Sequence, residues 1–379
     1  MTALDTVWAG LPAAAPQMLD DLADLVGVES PSSDPDALAR CADVVTALGV
    51  RRTGQSPERI VVGDRPHLRW RFGAGPPRVV LIGHYDTVWP RGTLARWPFS
   101  VDGDRATGPG VVDMKGGLVV LFHALGALAA LDDLDGVAVL VNADEEIGSP
   151  TSAALIEDTA RGAAGALVLE GSAGGRLKVA RKGIAHYSVR VTGRASHAGN
   201  APHRGINAGV ELAHQVLRIA ALGDAGRGTS VTPTDAVAGT TANTVPAAAR
   251  VSVDVRSFDP LELRRVDEAL RALAPVLPGA AVEVELGPAR PAMPETASAE
   301  LFALAQRLAE RFGGRPVTGE AVGGGSDGNI TAGIGVRTLD GLGAIGGNAH
   351  AEGEWIELSS LPERAALVGT LAATIGRAE

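Results

Sequence analysis

Val79-Val80-Leu81-Ile82 is a short apolar run typical of a buried β-strand, and the polar residues His84-Tyr85-Asp86 follow it almost at once. Acidic residues follow two further runs of this kind: Glu145-Glu146 after Val137-Ala138-Val139-Leu140-Val141, and Glu170 after Ala166-Leu167-Val168-Leu169. In an open α/β sheet, the carboxyl ends of the strands share one crevice. We therefore expect these residues, which are distant in sequence, to converge at one edge of a sheet.

Helical and strand-like segments alternate through the first half of the chain. Strand-like runs lie near residues 79–83, 137–143 and 166–170, with helical segments between them near 117–131 and 150–161. This alternation favours an α/β fold with a mainly parallel sheet and helices on both faces. Because 379 residues exceed what one hydrophobic core usually serves, we expect two domains.

The pattern changes near Lys182, where apolar and polar residues begin to alternate with a period of two. The alternating segments are residues 186–192, 250–256 and 281–285. Such alternation predicts antiparallel strands with one face in water, and two helical stretches separate them, 206–222 and 261–273. The sequence therefore predicts an α+β domain at residues 182–290, inserted between the two parts of the α/β domain, 1–181 and 291–379.

Composition restricts the class of protein. The net charge of −10 argues against binding to nucleic acid or to an anionic membrane surface. Cys41 is the only cysteine, which excludes an intramolecular disulfide and metal sites built from several thiolates. The sequence shows no signal peptide, and its longest apolar segment, 118–131, is too short to span a bilayer and contains His123. We expect a cytoplasmic protein.

The residues after the predicted strands are of types that bind metal ions. His84 and Asp86 point to the same face of a strand, so His84 could bind a metal while Asp86 accepts the hydrogen of its other ring nitrogen. The alternative is a polar strand end with a satisfied histidine. Glu145 and Glu146 point in opposite directions in extended backbone, so one could bind metal while the other acts as a general base. A solvated acidic pair in a loop is the alternative.

Asp113 lies in a glycine-rich stretch that opens a helix, Gly108-Pro109-Gly110-Val111-Val112-Asp113-Met114-Lys115-Gly116-Gly117. Its carboxylate could bridge two cations, or it could simply cap the helix. The glycine-rich loop could also suggest a phosphate-binding loop, but the Gly-Lys-Ser/Thr of such a loop does not follow. Glu170 and His350 could each be ordinary surface residues. Taken together, Asp113, Glu146, Glu170 and one hydroxide would balance the charge of two Zn²⁺, which favours a two-metal site.

These motifs, taken in order, resemble those of the M20 metallopeptidase family. They are His84-x-Asp86, Gly108-x-Gly110-x-x-Asp113-Met114-Lys115-Gly116-Gly117, Asp144-Glu145-Glu146-x-Gly148-Ser149 and Gly323-Gly324-Gly325-Ser326-Asp327. The resemblance spans nearly the whole chain and favours the glutamate carboxypeptidase (carboxypeptidase G2-like) branch; acetylornithine deacetylase and succinyl-diaminopimelate desuccinylase are related. It implies a zinc-exopeptidase-like catalytic domain with an inserted ferredoxin-like domain for dimerisation and lid closure.

The resemblance also implies roles for the site residues. The implied metal ligands are His84 and Glu170 for one Zn²⁺, His350 and Glu146 for the other, and Asp113 for both; Co²⁺ could substitute. Glu145 becomes the general base that deprotonates the attacking water, and Asp86 a catalytic residue beside His84. The Asp113–Met114 peptide bond is expected to be cis.

In the inserted domain, His197 matches a lid histidine that reaches across a homodimer into the partner's active site, where it polarises the scissile carbonyl. Asn243 matches a substrate-binding asparagine. Arg256 and Arg290 are candidates to clamp a substrate carboxylate, the alternative for each being a solvated charge at a strand end. The other expected substrate-binding residues are Lys182 and Ser326.

The sequence thus predicts a dinuclear zinc hydrolase that cleaves an amide or peptide bond next to a free carboxylate, either a carboxypeptidase such as a glutamate carboxypeptidase or an N-acyl-amino-acid deacylase. The alternative in the same class is an amidohydrolase of the N-acetylornithine deacetylase or desuccinylase type. Alternatives of other classes are a two-metal phosphoesterase and a non-catalytic metal-binding scaffold. The acidic net charge counts against a phosphoesterase, and the presence of Glu145 counts against a non-catalytic scaffold.

Overall fold

The computed structural model describes residues 3–377, which divide into two compact units. The larger unit comprises the chain up to Ala180, Glu295–Val322 and the segment from Ser326 onward. The smaller unit comprises Arg181–Pro294 and Gly323–Gly325. The predicted insertion, residues 182–290, lies inside the smaller unit.

The helices are, in chain order, α1 Ala3–Gly10, α2 Ala15–Val26, α3 Pro35–Thr53, α4 Thr93–Arg96, α5 Gly116–Ala129, α6 Ala153–Ala160, α7 Ala208–Ala220, α8 Pro260–Arg271, α9 Glu295–Phe312, α10 Asp327–Gly333 and α11 Ser360–Arg377. The strands are β1 Glu58–Val62, β2 Arg65–Arg71, β3 Val79–His84, β4 Ser100–Asp102, β5 Arg105–Thr107, β6 Val137–Asn142, β7 Gly165–Val168, β8 Ser172–Ala173, β9 Leu177–Arg181, β10 Gly183–Thr192, β11 Ser230–Ala238, β12 Ala248–Ser257, β13 Ala281–Arg290, β14 Gly319–Val322, β15 Thr338–Leu339, β16 Ile345–Gly347 and β17 Trp355–Glu357.

A six-stranded sheet with the strand order β1-β2-β6-β3-β7-β15 forms the centre of the larger unit. The strands β6, β3, β7 and β15 are parallel, and every residue of β3, β6 and β7 is buried. By contrast, β2 is antiparallel to both β1 and β6. The sheet is therefore mixed, because the parallel strands that the sequence predicts are extended at one edge by the antiparallel strands β2 and β1. A two-residue turn joins β1 to β2 directly, and such a hairpin needs no crossover helix.

Helix α5 lies in the core of the larger unit, in contact with β3, α3 and α11. Its amino end approaches the chain after β7 so closely that a Cβ on Gly117 would lie 1.9 Å from the carbonyl oxygen of Leu169, so only glycine fits there. This approach brings the turn that carries Asp113 next to Glu170. The segment Val111–Ala129 is apolar and long enough to cross a membrane. However, 83% of an 18-residue apolar stretch within it is buried, as in a core helix.

The larger unit contains a second sheet, with the order β4-β5-β17-β16-β8. Strand β8 begins two residues after Glu170 and is parallel to β16, which ends three residues before His350. The backbone N–H of Gly343 donates to the carbonyl oxygen of Glu170 at 2.9 Å, and the N–H of Ser172 donates to Ala344 at 2.9 Å. Backbone hydrogen bonds thus join segments that are far apart in sequence and carry Glu170 and His350.

The smaller unit contains a four-stranded antiparallel sheet with the order β11-β12-β10-β13. Its elements follow one another as β-α-β-β-α-β, and alternate residues of the strands pack against α7 and α8 in a separate core. Helix α8 is capped at its start, because Asp259 Oδ1 accepts the N–H of Leu261 at 2.8 Å and Pro260 is the first residue of the helix.

Asp21 links α2 to two neighbouring helices of the larger unit. Its buried carboxylate accepts hydrogen bonds from Arg51 at 2.8 Å, from both Nε and Nη2 of Arg52, and from His123 Nε2 at 2.9 Å. Burial acts to raise the pKa of Asp21, but these hydrogen bonds outweigh it and hold the pKa well below its ordinary value of 3.8.

We expect Asp21→Asn to lower the free energy of unfolding by about 2 kcal/mol at pH 7. Because the folded pKa lies below the unfolded one, the contribution of Asp21 is present above about pH 5 and is lost as the pH falls through 3.8 toward the folded pKa. Denaturant titration at several pH values should therefore show a smaller acid loss in the variant. Asp24→Asn is the matched control, since Asp24 lies 3.6 Å from Arg51 but its side chain is 63% exposed. Equal effects of the two substitutions would contradict this role for Asp21.

Candidate metal centre

Among the residues that the structure describes, side chains of metal-ligand type meet at the carboxyl ends of the central strands in the larger unit. His84 ends β3, Glu146 and Glu170 follow β6 and β7, Asp113 precedes α5, and His350 follows β16. The side chains of His84, Glu146 and Glu170 are at most 9% exposed, whereas that of His350 is 54% exposed. The cluster is therefore shielded from solvent at His84, Glu146 and Glu170 and open to solvent at His350.

The carboxylate of Asp113 lies between two histidine–glutamate pairs. Its Oδ1 is 3.3 Å from His84 Nε2, and its Oδ2 is 3.1 Å from His350 Nε2. Oε1 of Glu170 lies 3.5 Å from the same nitrogen of His84, and Oε2 of Glu146 lies 3.0 Å from that of His350. Each pair thus has one oxygen of Asp113 beside it, and the arrangement could hold two cations that share this carboxylate.

The donor atoms of the cluster suit divalent metal ions. Ligand atoms of His84, Asp113 and Glu146 lie within 4.8 Å of one another, as do those of His84, Glu145 and Glu170. Two buried atoms, Nε2 of His84 and Oε1 of Glu146, make no hydrogen bond with any residue that the structure describes. Because buried polar atoms are seldom left unpaired, these two atoms fit a role as metal ligands.

The carboxylates of the cluster act strongly on both histidines. Burial would lower the pKa of His84, but the neighbouring carboxylates of Asp113, Asp86 and Glu170 raise it well above its ordinary value. The carboxylates of Asp113 and Glu146 raise the pKa of His350 to about 10. Burial raises the pKa of Glu146 to about 7. Surroundings that favour positive charge on two imidazoles also favour bound cations.

Asp86 supports the cluster in a different way from the one predicted. Nδ1 of His84 lies 3.0 Å from the backbone oxygen of Asp86 and 3.4 Å from its carboxylate, so the carbonyl is the hydrogen-bond acceptor. The carboxylate instead accepts the backbone N–H groups of Glu145 at 3.1 Å and Glu146 at 3.2 Å, and the hydroxyl of Ser32 at 2.7 Å. Asp86 therefore fixes the turn that carries both glutamates, because three donors already occupy its oxygens.

Glu354 is a contributor that the sequence analysis missed. Its buried carboxylate accepts four hydrogen bonds, from the backbone N–H groups of Gly110 at 2.9 Å, Val112 at 2.7 Å and Asp113 at 2.9 Å, and from Trp89 Nε1 at 3.0 Å. These bonds hold the turn that presents Asp113, and the Asp113–Met114 peptide bond in this turn is cis, as the resemblance implied. No sequence signal separates Glu354 from the exposed Glu352, because its role depends on tertiary contacts.

We expect Glu354→Gln to weaken zinc binding about 10- to 100-fold, as is usual when a group that orients a metal ligand is lost. A glutamine can accept hydrogen bonds at only one of the two carboxylate positions, and its NH₂ group would face N–H donors. Titration calorimetry with Zn²⁺ measures the effect, and an unfolding curve shows whether the fold is kept. Glu352→Gln is the matched control. A folded Glu354→Gln protein that binds zinc as the control does would contradict this role.

His197 and Asn243 lie side by side in the smaller unit, where the backbone oxygen of Asn243 accepts the N–H of Ala198 at 2.9 Å. Nδ1 of His197 accepts the backbone N–H groups of Gly199 and Asn200, each at 3.1 Å. A neutral imidazole with Nδ1 as an acceptor carries its hydrogen on Nε2. The exposed His197 can therefore present an N–H donor to a bound molecule.

Two charged candidates of the smaller unit, Arg256 and Lys182, lie beside a partner in the same unit. Arg256 binds the carboxylate of Asp254 through Nε at 2.9 Å and Nη2 at 3.1 Å, which the sequence did not predict. Nζ of Lys182 lies 5.4 Å from the ring centre of Phe258, and Arg290 is the last residue of β13. Asp254 thus orients Arg256 and offsets part of its charge.

Ser326, in the larger unit, is fully buried. Its hydroxyl accepts the N–H of Gly328 at 3.1 Å as the cap of α10 and donates to Asp340 at 2.6 Å. This geometry corresponds to a capping role rather than the predicted contact with substrate. Lys178, which the sequence analysis did not single out, has its Nζ 4.0 Å from Oε2 of Glu170.

Comparison with known proteins gives a consistent result. The sequence model of peptidase family M20/M25/M40 matches residues 80–374. Carboxypeptidase G2 of Pseudomonas sp. (strain RS-16) is 34% identical over 95% of this chain and 90% of its own length. Succinyl-diaminopimelate desuccinylase of Xylella fastidiosa (strain M23) is 29% identical over 91% of this chain and 94% of its own.

Solved structures share the fold. Aminopeptidase PepT from Bacillus cereus ATCC 10987 superposes with a TM-score of 0.75 at 21% identity, covering 96% of this chain and 99% of its own. The M20 family metallo-carboxypeptidase Sso-CP2 from Sulfolobus solfataricus superposes with a TM-score of 0.69 at 18% identity, covering 95% of this chain and 99% of its own.

Proposed function

Since the chain belongs to peptidase family M20/M25/M40 and is a metal-dependent hydrolase of that family, we propose that it is a dinuclear zinc enzyme. It would cleave an amide or peptide bond next to a free carboxylate. The observation that carries the proposal is the position of Asp113, whose two oxygens each face a separate histidine–glutamate pair.

In the proposed centre, His84 and Glu170 would hold one Zn²⁺, His350 and Glu146 would hold the other, and Asp113 would contribute to both sites. Nitrogen and oxygen donors in four-coordinate sites are typical of zinc, and Co²⁺ would replace it in such a site. When bound, the metal ions would polarise the scissile carbonyl and make a water molecule more acidic.

Glu145 is the proposed general base. A carboxylate oxygen of Glu145 lies within 4.8 Å of the ligand atoms of His84 and Glu170. The carboxylate of Asp86 accepts the backbone N–H of Glu145. Glu145 would take a proton from the attacking water, hold it, and deliver it to the nitrogen of the leaving amine. The carbon–nitrogen bond can then break without release of an amide anion.

The smaller unit is the proposed dimerisation and lid domain, residues 182–290, with a ferredoxin-like fold. The order β-α-β-β-α-β supports this interpretation. His197 of one subunit would donate its Nε2–H to the oxygen of the scissile carbonyl in the partner subunit of a homodimer. Asn243, beside it, would contact the same substrate.

The action of His197 in the partner subunit has a direct test. We expect Glu145→Gln and His197→Ala proteins to be almost inactive separately and to recover activity when their subunits are mixed and exchanged, because one site of each mixed dimer is then intact. Turnover is measured before and after exchange. Mixing two His197→Ala preparations is the control. No recovery, with subunit exchange shown by mass spectrometry of tagged chains, would contradict the proposal.

We propose that Arg256 and Arg290 bind the free carboxylate of the substrate. Lys182, which lies between β9 and β10, is a further proposed substrate-binding residue. A guanidinium that is oriented by another group, as Asp254 orients Arg256, is suited to bidentate binding of a carboxylate. The expected compartment is the cytoplasm, and neither nucleic acid nor a membrane is a proposed partner.

The names of the relatives support two substrate classes. One relative is a carboxypeptidase and the other a desuccinylase that acts on succinyl-diaminopimelate. For this chain, the first class is a dipeptide or N-acyl amino acid with a free carboxylate, such as one with C-terminal glutamate. The second is an N-acetyl or N-succinyl diamino acid, which corresponds to the deacetylase or desuccinylase alternative.

A substrate panel tests the proposal. We expect the zinc- or cobalt-loaded protein to hydrolyse members of one of these classes, and the corresponding esterified carboxylates to be poor substrates. Hydrolysis of nitrophenyl phosphate in preference to every amide would indicate a phosphoesterase. A metal-loaded protein that cleaves nothing in a broad panel would indicate a binding scaffold. Either result would overturn the proposed function.

A further inference from the structure

A cavity of about 170 Å³ lies in the larger unit, beside the carboxyl end of α9, the first turns of α11 and the turn that follows β8. Its apolar wall is formed by Trp8, Ala309, Val317, Ile345 and Leu367. Its polar wall is formed by Gly174, Gly175, Arg315, Glu357, Glu363 and Arg364. At about 30 Å³ for each water molecule, the cavity has room for about five or six waters, or for one small organic molecule.

Arg364 is a buried cation in this wall, with 5% of its surface exposed. Its Nη2 donates to the hydroxyl of Ser172 at 3.0 Å and to the carbonyl oxygen of Gly175 at 2.6 Å. Both acceptors are neutral, and Arg364 forms no ion pair with a carboxylate of residues 3–377. A guanidinium has five N–H groups, so those on Nε and Nη1 remain available. Burial lowers the pKa of Arg364 to about 10, which leaves it charged at neutral pH.

The acidic residues of the wall are directed at the other cation, Arg315. Nη2 of Arg315 lies 2.5 Å from Glu357 and its Nε lies 3.1 Å from Glu363. Glu363 also accepts the backbone N–H of Arg315, and Glu357 accepts the hydroxyl of Ser359 at 3.1 Å. Both carboxylates are thus satisfied without Arg364, whose buried charge lacks the direct partner that such a charge normally has.

We propose that this cavity binds a small monocarboxylate, with its carboxylate on Arg364 and its apolar group against Val317, Ile345 and Leu367. The planar fork of a guanidinium matches a carboxylate with two parallel hydrogen bonds. A ligand with two negative charges fits less well, because Glu357 and Glu363 lie in the same wall and repel a second charge. This site is separate from the proposed metal centre and does not depend on the function proposed above.

The experiment is titration calorimetry of the metal-loaded protein with 3-methylbutanoate, compared with the neutral 3-methylbutanamide and with inorganic phosphate. We expect the carboxylate to bind at least about tenfold more tightly than the amide, the factor that one charge-assisted hydrogen bond supplies. Phosphate should bind more weakly than the carboxylate. Equal binding of acid and amide, preference for phosphate, or no binding of the acid would overturn the proposal.

Variants locate the site. Val317→Phe fills the cavity from its half-buried wall and leaves Arg364 intact, so it should abolish binding without loss of the fold. Arg364→Met should do the same, and the result for Val317→Phe decides the matter if Arg364→Met does not fold. Asp113→Ala, which alters the proposed metal centre, should keep the affinity for 3-methylbutanoate within about twofold. Binding that is lost in Asp113→Ala and retained in Val317→Phe would place the ligand at the metal centre and contradict the proposal.

Discussion

Glu145→Gln is expected to lower kcat by about three orders of magnitude while the protein keeps its zinc. Glutamine has nearly the same size and shape, but it cannot take up the proton of water and return it to the leaving amine. The implied metal ligands, such as Glu146 and Glu170, are unchanged in this variant. Steady-state kinetics on the best substrate of the panel measures the loss, and mass spectrometry of the metals measures zinc content.

The matched control for this variant is Glu157→Gln. Glu157 lies on α6 with 43% of its side chain exposed and forms a long ion pair of 3.6 Å with Arg161. This substitution should leave kcat within about twofold of the original value, since exposed ion pairs contribute little. Near-normal turnover of fully metal-loaded Glu145→Gln would refute the assignment of the base.

Asp113→Ala is expected to weaken the binding of both metal ions and to abolish activity. The reason is geometric, because among the carboxylates that the structure describes Asp113 alone has an oxygen beside each of the two histidines, 3.3 Å from His84 and 3.1 Å from His350. Glu170→Ala, in contrast, removes a ligand from the His84 side only, so one of the two ions should stay bound. Zinc titration with a competing chelator measures both affinities.

Asp102→Ala supplies the control for the Asp113 variant, since Asp102 is an exposed aspartate at the end of β4. It should bind two zinc ions as the unaltered protein does. If Asp113→Ala lost only one ion, in the same way as Glu170→Ala, the carboxylate would not be shared. If it bound both ions with unchanged affinity, Asp113 would have no part in the centre.

The sequence predicted the convergence of the site because strand geometry decides it. The parallel strands β3, β6 and β7 present their carboxyl ends at one edge, so the residues that follow each of them had to be neighbours. The start of α8 is also specified by neighbouring residues, since Asp259-Pro260 is a local signal for a helix start. Such a feature can be predicted from the sequence because the residues that cause it are neighbours in the chain.

Other features depend on contacts between distant residues and left no such signal. The buried Glu354 and Arg364 look like ordinary surface charges in the sequence, and their roles come from backbone groups that the fold brings to them. The carboxylate of Asp86 was predicted to bind His84, but the turn after β6 brings two backbone N–H groups to it. The hairpin of β1 and β2 makes the central sheet mixed, which the alternation of helices and strands did not predict.

The sharing of Asp113 by two metal ions can be tested by anomalous diffraction at the zinc edge from zinc-loaded crystals. We expect two anomalous peaks about 3.5–4 Å apart, one on each side of the Asp113 carboxylate. The first should lie beside His84 and Glu170, and the second beside His350 and Glu146. A single peak, or peaks away from Asp113 in fully zinc-loaded crystals, would show that Asp113 is not shared by two metal ions.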